Sequence, residues 1–309
     1  MAPDRPISDA GITAICSTIG VISLGVNVFC LVSLLHLRLI YARNIFVILL
    51  LLQAFYLVQN FHFTLLYVPF MYMPVSGGYC IGLLCQQGRF PFVAHHSLCI
   101  FLIVNLSVLF IILLFFRHQN LMCALSRFKL GRCASRVVPA LLVSGINTLP
   151  IRYSIRSYLL FAPVDQERLL RKLCPSCDWI ERHRNFGVQD SNDVMVNGCI
   201  ILISVFVYST IGFAISGHIC RVITQYRCHS LSYGSRVKIR QTLQSLVQTG
   251  SFTVFLAMPI LIFMAVQFHQ FEDDSVVLLP SIFLFSLNSL AHSSLLIVNT
   301  APMMERARR

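Results

Sequence analysis

The chain has 309 residues, of which 56% are hydrophobic and only 12% are charged. A soluble domain carries about 25% charged residues, so this composition argues against a soluble protein and predicts an integral membrane protein. The net charge of +12 would also suit nucleic-acid binding, but the basic residues flank apolar stretches, where they would face anionic lipid headgroups.

Seven apolar stretches are long enough to cross a bilayer, which needs about 20 mostly apolar helical residues. Together they use more than half of the chain and leave no room for a second globular domain. We therefore expect one all-α domain over residues 1–309, a bundle of seven transmembrane helices. The predicted spans are approximately Gly11–Leu37, Ile45–Val68, Phe92–Phe116, Val137–Phe161, Val194–Cys220, Leu243–Gln267 and Val276–Thr300.

The segments between the spans alternate in charge. Four of them, residues 38–44, 117–136, 221–240 and 301–309, hold 15 Lys and Arg residues and one acid, Glu305. The rest of the chain holds 9 Lys and Arg residues and 11 acidic residues. Because cytoplasmic loops carry the excess of Lys and Arg, this asymmetry predicts an N-terminus outside the cell and a C-terminus inside. Seven spans in this orientation are the outline of a G-protein-coupled receptor.

The fourth span has the weakest pattern. Its apolar run, residues 137–150, is only fourteen residues long before Arg152 and Arg156 interrupt it. The basic segments 117–136 and 221–240 should lie on the same side of the membrane, so an even number of crossings must separate them. The fifth span is clear, and the fourth must therefore cross as well.

Uncharged polar side chains occur near the predicted outer ends of several spans. Ligand pockets combine an apolar cleft with a few convergent polar groups, and polar groups inside a membrane usually face the bundle. Adjacent residues on a helix cannot both point inward, which limits the contribution of the neighbouring pair His95 and His96. The candidate ligand site comprises His95, His96, Gln59, His62, Asn197, Phe263 and Gln267.

The alternative role for polar residues in the spans is to hydrogen-bond one helix to another, which is worth about 0.6–2 kcal/mol per bond. We expect that role for five deeper residues: Asn27, Asn105, Asn147, Asn288 and His292. No acidic residue falls within a predicted span. A site for amines usually supplies a buried carboxylate, so we predict a neutral or anionic ligand.

The cytoplasmic end of the third span carries Arg117 and His118 directly after an apolar run. Such an arginine can bond polar groups of the sixth span in a closed bundle and face a G protein in an open one. The alternative is a charge that only anchors the helix end at the headgroups. The preceding residue is Phe116, so any contact that holds the closed form must differ from the Asp-Arg-Tyr type. Further basic residues suited to a G protein or anionic lipid are Arg236, Lys238 and Arg240.

Three stretches in the same order carry a family resemblance. Residues 74–84, Pro-Val-Ser-Gly-Gly-Tyr-Cys-Ile-Gly-Leu-Leu, are similar to a Pro-x-x-x-Gly-x-x-x-Gly-Leu-Leu segment before a third span. Residues 115–119, Phe-Phe-Arg-His-Gln, are similar to an aromatic-Arg-(His/Tyr)-Gln helix end. Residues 243–249, Leu-Gln-Ser-Leu-Val-Gln-Thr, are similar to an entry into the sixth span, with Pro259 beyond. Over nearly its whole length the sequence resembles nematode-type serpentine chemoreceptors of the Str superfamily, nearest the Srh and Sri classes.

The resemblance implies a multi-pass receptor in the plasma membrane of a sensory neuron or cilium. Its partners would be a small-molecule ligand, a heterotrimeric G protein and membrane lipids, with no nucleic acid, no cofactor and no enzymatic activity. Proline usually kinks a membrane helix, so Pro259 is the predicted hinge of the sixth span. The family's Pro-Tyr-Arg end of the seventh span is missing, since residues 301–306 are Ala-Pro-Met-Met-Glu-Arg.

Three other functions fit seven spans. A non-signalling relative is favoured by the missing Pro-Tyr-Arg end. A seven-span ligand-gated channel of the insect type would place its N-terminus inside, against the charge asymmetry. A proton-coupled transporter would need buried carboxylates at mid-membrane, and the spans contain none.

Four cysteines lie in predicted extracellular segments, where disulfides persist. Four cysteines allow three pairings, and the sequence does not choose among them. By analogy with the loop staple of other receptors, we expect Cys174 or Cys177 to pair with Cys80 or Cys85. A zinc site is not expected, because a structural zinc ion requires four protein ligands and Cys174-Pro-Ser-Cys177 supplies only two.

Overall fold

The computed structural model describes residues 9–38, 41–72, 77–86, 92–122, 128–131, 133–145, 172, 186–188, 191–226, 233–269 and 275–308. Seven helices account for most of these residues. Two of them contain a π-helical turn, in which the backbone is locally wider than in an α-helix. The helices are α1 (Asp9–His36), α2 (Arg43–Phe61, continued by a π turn at His62–Tyr67), α3 (Phe92–Leu121), α4 (Ala134–Gly145), α5 (Ser191–Tyr226), α6 (Tyr233–Phe252, a π turn at Thr253–Ala257, then Met258–His269) and α7 (Ser275–Arg308).

Six of these helices are long and apolar enough to cross a membrane, in agreement with the predicted spans. The exception is α4, a shorter apolar helix in the part of the chain that is described. The predicted fourth span continues to Phe161, and residues 146–161 lie outside the described residues. The described helix begins where the topology argument requires a fourth crossing.

Several helices extend beyond the apolar stretches that predicted them. Helix α3 continues five residues past Phe116, and α6 begins ten residues before Leu243. Arg, Lys and Gln are good helix formers, so the helical hydrogen-bond pattern continues after the apolar residues end. The prediction of a loop over residues 221–240 was therefore wrong for residues 221–226 and 233–240, which are helical, and residues 227–232 lie outside the described part. The backbone of Arg236, Lys238 and Arg240 is helical and belongs to α6, although their side chains lie outside the described part.

A small antiparallel sheet, which the sequence did not predict, lies beside the end of α2 and the start of α3. We call the end of the bundle that carries this sheet the outer end and the opposite end the inner end. Strands β1 (Pro69–Tyr72) and β2 (Gly77–Cys80) pair in the register Pro69↔Cys80 to Tyr72↔Gly77. Strand β3 (Gly187–Val188) adds to β2 through Gly77↔Val188 and Gly78↔Gly187. This sheet joins the segment between α2 and α3 to the segment before α5.

Two glycines of the family-like stretch 74–84 allow close backbone contacts. A Cβ atom built at Gly77 would lie 2.6 Å from the carbonyl oxygen of Gly187, so a side chain there would push β2 and β3 apart. A Cβ atom at Gly82 would meet the backbone of Leu66 and Tyr67 at the end of α2. The Gly-rich stretch is thus required by the packing of the sheet and of the α2 terminus.

The inner halves of α1, α2, α3 and α7 share an apolar core. Its fully buried members include Leu34, Leu52, Leu113 and Leu296, one from each helix. Close packing of these side chains fixes the four helices relative to one another.

A buried hydrogen-bond network joins α1, α2 and α7 beside this core. Asn27 Nδ2 donates to Ser289 Oγ at 2.6 Å, and Gln53 Nε2 donates to Asn27 Oδ1 at 2.6 Å and to Ser293 Oγ at 2.8 Å. Asn27 therefore has the interhelical role that we expected. Asn105 does not, because its Nδ2 donates to Phe101 of its own helix at 2.8 Å.

The π turn of α6 directly precedes Pro259. Proline has no N–H, so the carbonyl of residue 255 loses its usual helical partner, and the helix widens over Thr253–Ala257. Pro259 thus marks a local irregularity of α6. Its use as a hinge stays a prediction.

Candidate functional site

Two of the predicted ligand-binding residues meet at the outer end of the bundle. His62 Nε2 of α2 and His95 Nδ1 of α3 lie 3.2 Å apart, a hydrogen-bond distance for two neutral imidazoles of which one donates. The Tyr67 ring stacks against both, with centroid distances of 5.4 Å to each. All three side chains are buried. We call His62, Tyr67 and His95 the outer cluster.

The remaining predicted ligand-binding residues differ in position. Gln59 is buried about one turn before His62 on α2, and its Oε1 has no hydrogen-bond partner among the described residues. The His96 ring stacks on the Phe92 ring, with the centroids 5.9 Å apart. Three others have a described helical backbone but side chains outside the described part: Asn197, Phe263 and Gln267.

The outer cluster packs against an apolar core. Phe63, Phe92, Cys99 and Phe285 are buried in the adjoining core, which also contains Leu256 of the α6 π turn. None of the six membrane-length apolar stretches contains Asp or Glu. The cluster can offer imidazole and hydroxyl groups to a ligand, but those six stretches bring no carboxylate to it.

The cysteine pairing differs from the prediction. Cys80 bonds to Cys85, with Cα atoms 5.6 Å apart, so neither is left to pair with Cys174 or Cys177. Because β2 ends at Cys80 and a helical turn begins at Leu83, the chain reverses over five residues and brings the two thiols together. Cys174 and Cys177 lie outside the described residues. The tie between the segment before α5 and the top of α3 is the β2–β3 pairing rather than a disulfide.

At the opposite end of the bundle, Arg117 is buried, with 2% of its surface exposed. Its guanidinium carbon lies 5.3 Å from the centroid of the Tyr41 ring, in the segment between α1 and α2. Burial raises the pKa of the Tyr41 hydroxyl, and the Arg117 and Gln244 side chains partly offset that shift. Tyr41 is thus a neutral residue set between α3 and α6. The structure places Arg117 against Tyr41, and a contact of Arg117 with polar groups of the sixth span stays a prediction.

His118 connects α3 to α5. Its Nε2 lies 2.8 Å from Nδ1 of His218, and the Phe128 ring packs on His218 at 4.5 Å. His218 was not singled out in the sequence, because its partner is 100 residues away. An unpaired histidine in a span with no other charge was the one available signal.

The side chain of Gln119 binds the segment after α3. Its Nε2 donates to the carbonyl oxygen of Phe128 at 3.0 Å, and its Oε1 accepts from the backbone N–H of Leu130 at 2.9 Å. Lys129 Nζ also donates to the Gln119 carbonyl oxygen. The family-like Arg-His-Gln triplet therefore has three separate tasks, one for each residue.

A cavity of about 60 Å³ lies between α3, α5 and α6, nearer the middle of the bundle than the outer cluster. Its wall includes Ser107, Tyr208, Thr249 and Thr253, and none of the residues predicted for ligand binding. Ser and Thr at these positions are common in membrane helices, so the sequence alone gave no reason to select them.

Metal binding has no support in the described residues, where no three His, Cys, Asp or Glu side chains approach closely enough to hold an ion.

Comparison with known proteins adds the family. The model of the serpentine type 7TM GPCR chemoreceptor Sri matches residues 10–304, nearly the full chain. No match was found among curated proteins. The match runs from the second residue of α1 to the last turns of α7 and includes all seven helices and the residues of both bundle ends. The chain is therefore a member of the Sri family of serpentine seven-transmembrane G-protein-coupled chemoreceptors.

Proposed function

We propose that this receptor binds a small neutral or anionic molecule at the outer cluster and activates a heterotrimeric G protein at the opposite end. The observation that carries the proposal is the convergence of His62 and His95 inside the bundle, at 3.2 Å, against an apolar core. Buried polar groups on two helices can be shared with a ligand, as in a typical small-molecule site. The lack of acids in the six apolar stretches disfavours an amine ligand.

The inner end supports coupling to a G protein. Arg117 is buried against Tyr41 and would have to leave that ring before its charge could face a partner. A ligand shifts a receptor between two forms only by binding one form more tightly than the other. The outer cluster lies at the α2–α3 contact and adjoins α6 through Leu256. A ligand bound there would therefore contact the packing between α3 and α6 and could change their relative position.

The proposed orientation places the N-terminus and the sheet outside the plasma membrane of a sensory cell, and Arg117 inside. The charge asymmetry supports this orientation. An epitope added before Asp9 should be stained on intact cells, and an epitope after Arg308 only after permeabilisation.

The function is tested by expressing the receptor with a G-protein reporter and exposing it to a panel of neutral and anionic volatiles and metabolites. For any agonist found, His62→Phe and His95→Phe should each lower potency at least about tenfold, since loss of a buried polar partner costs about 1–3 kcal/mol. His36→Phe is the matched control, because His36 is exposed at the inner end of α1 and its ring bonds only to the Val32 carbonyl oxygen of the same helix among the contacts described. Unchanged potency in both cluster variants would move the ligand site elsewhere.

A further inference from the structure

The cavity between α3, α5 and α6 contains a hydrogen-bond donor without an acceptor in the described part of the chain. Tyr208 lines the cavity, and only 8% of its surface is exposed. Its hydroxyl has no hydrogen-bond partner among the described residues. Burying a hydroxyl without a hydrogen-bond partner to replace water costs free energy of folding. An acceptor placed in the cavity would remove that penalty.

Three other hydroxyls of the cavity wall have already used their hydrogens. Ser107 donates to the Ile103 carbonyl at 2.9 Å, Thr249 to the Ser245 carbonyl at 2.8 Å, and Thr253 to the Thr249 carbonyl at 3.0 Å. They present weak acceptor lone pairs to the cavity rather than donors. Ser209 is a further, half-buried hydroxyl of the wall, and Tyr208 is the buried hydroxyl of the wall that has no hydrogen-bond partner among the described residues.

The size of the cavity and the charge of its lining restrict the kind of molecule that can occupy it. A water-sized sphere takes about 10–15 Å³ of cavity volume, so 60 Å³ holds roughly four to six non-hydrogen atoms. The lining has no charged residue, and an unpaired ion would be costly there. The occupant that fits is small and uncharged.

The cavity adjoins the lipid-facing surface. Phe213 belongs to its wall and is 65% exposed on the side of α5. A lipophilic molecule dissolved in the bilayer can therefore reach the cavity without passing the sheet at the outer end.

The opposite wall is the irregular part of α6. Thr253 and Ala257 are the first and last residues of its π turn, and both line the cavity. π turns are often found at functional sites, and an occupant would contact α6 just before Pro259.

We propose that this cavity is a second ligand site, reached through the bilayer, for a small uncharged molecule whose carbonyl or ether oxygen accepts the Tyr208 hydroxyl. It is separate from the outer cluster and does not depend on the ligand proposed there. Its occupant biases the conformation of α6 at the π turn.

The test compares 2-butanone with 2-methyl-1-butene, which has the same shape but no acceptor. Saturation transfer from the full-length receptor in lipid nanodiscs to each compound is measured by NMR, with receptor-free nanodiscs as the background. We expect 2-butanone to bind the wild type more tightly than the alkene. Tyr208→Phe should remove that preference, which corresponds to a loss of about two- to tenfold in ketone affinity.

A second pair of variants tests the location. A Cβ atom at Gly212, in the cavity wall, meets nothing within 4 Å, so Gly212→Leu can fill the cavity without backbone overlap. Gly217→Leu lies on the same helix, is exposed and also meets nothing, which makes it the matched control. Gly212→Leu should abolish the specific 2-butanone signal, and Gly217→Leu should preserve it. Equal signals in Gly212→Leu and wild type, or an unchanged ketone preference in Tyr208→Phe, would overturn the proposal.

Discussion

The guanidinium of Arg117 lies 5.3 Å from the centroid of the Tyr41 ring, which joins the inner end of α3 to the segment between α1 and α2. Cation–π contacts of this kind are worth about 0.5–2 kcal/mol, more when the groups are shielded from water. The residue before the arginine is Phe116 rather than an acid, and an aromatic ring contacts the guanidinium. The pair therefore offers a specific account of what holds Arg117 in place.

We predict that Tyr41→Ala raises basal signalling, by about threefold to tenfold, because it removes a contact of about 1 kcal/mol from the closed form only. Tyr41→Phe, which keeps the ring, should have a smaller effect. The measurement is basal G-protein activation normalised to surface expression. Arg38→Ala is the control, since Arg38 is exposed near the same segment. Basal activity in Tyr41→Ala equal to that of wild type would exclude Tyr41 as the restraint.

Gly77→Ala should destabilise the sheet at the outer end. The added Cβ would lie 2.6 Å from the Gly187 carbonyl oxygen, and overpacking of this kind typically costs about 1–3 kcal/mol. The expected result is a lower melting temperature of the purified receptor and reduced surface expression. Gly217→Ala, at an exposed helical position with nothing within 4 Å, should be neutral or slightly stabilising. If both variants melt alike, β2 and β3 do not form the close contact described.

The sequence predicted the helices well because each crossing is a local property. About 20 apolar residues in a row identify a membrane helix whatever the rest of the chain does. The outer cluster was partly predictable for the same reason: polar residues at the outer ends of α2 and α3 must face the bundle, and His62 and His95 do meet. That they bind a ligand stays a prediction.

Contacts between distant parts of the chain were not predictable in the same way. Tyr41 is far from Arg117 in sequence, and no pattern marks it as the partner. The β2–β3 pairing joins Gly77 to Val188 across more than a hundred residues, and a two-residue strand has no pattern of its own. The Cys80–Cys85 bond depends on a chain reversal that residue spacing does not specify.

The disulfide gives a direct chemical prediction. Peptide mapping under non-reducing conditions should find Cys80 and Cys85 in one linked peptide. Closing so short a loop contributes about 2 kcal/mol. Cys80→Ser, Cys85→Ser and the double variant should therefore lose the same stability, since either single change breaks the same bond. Additive losses, or a peptide linking either residue to Cys174 or Cys177, would contradict the pairing.

The network of Asn27, Gln53 and Ser293 should contribute to stability, and Asn105 should not. Asn27→Ala breaks side-chain bonds to α2 and α7 and removes one acceptor of the buried Gln53 amide, which keeps Ser293, at a cost of about 1–3 kcal/mol. Asn105→Ala removes only a bond to its own helix, where the side chain competes with the backbone. Thermal unfolding in detergent should separate the two variants clearly. Equal melting temperatures would mean that the network adds no net stability.

Gln119 should control the order of the segment after α3. Its Oε1 accepts the backbone N–H of Leu130 at 2.9 Å, so hydrogen exchange at that amide should be slow in the wild type. Gln119→Ala removes both side-chain bonds to Phe128 and Leu130, and exchange over residues 128–131 should rise by about tenfold, as expected for one lost bond of about 1.4 kcal/mol. Asn120→Ala is the matched control, because Asn120 is exposed on the next position of the same helix.

Since Phe128 also packs on His218, freeing the segment after α3 in Gln119→Ala should weaken the contact between α3 and α5 and lower G-protein activation by agonist. Faster exchange without any change in coupling would limit Gln119 to a structural role.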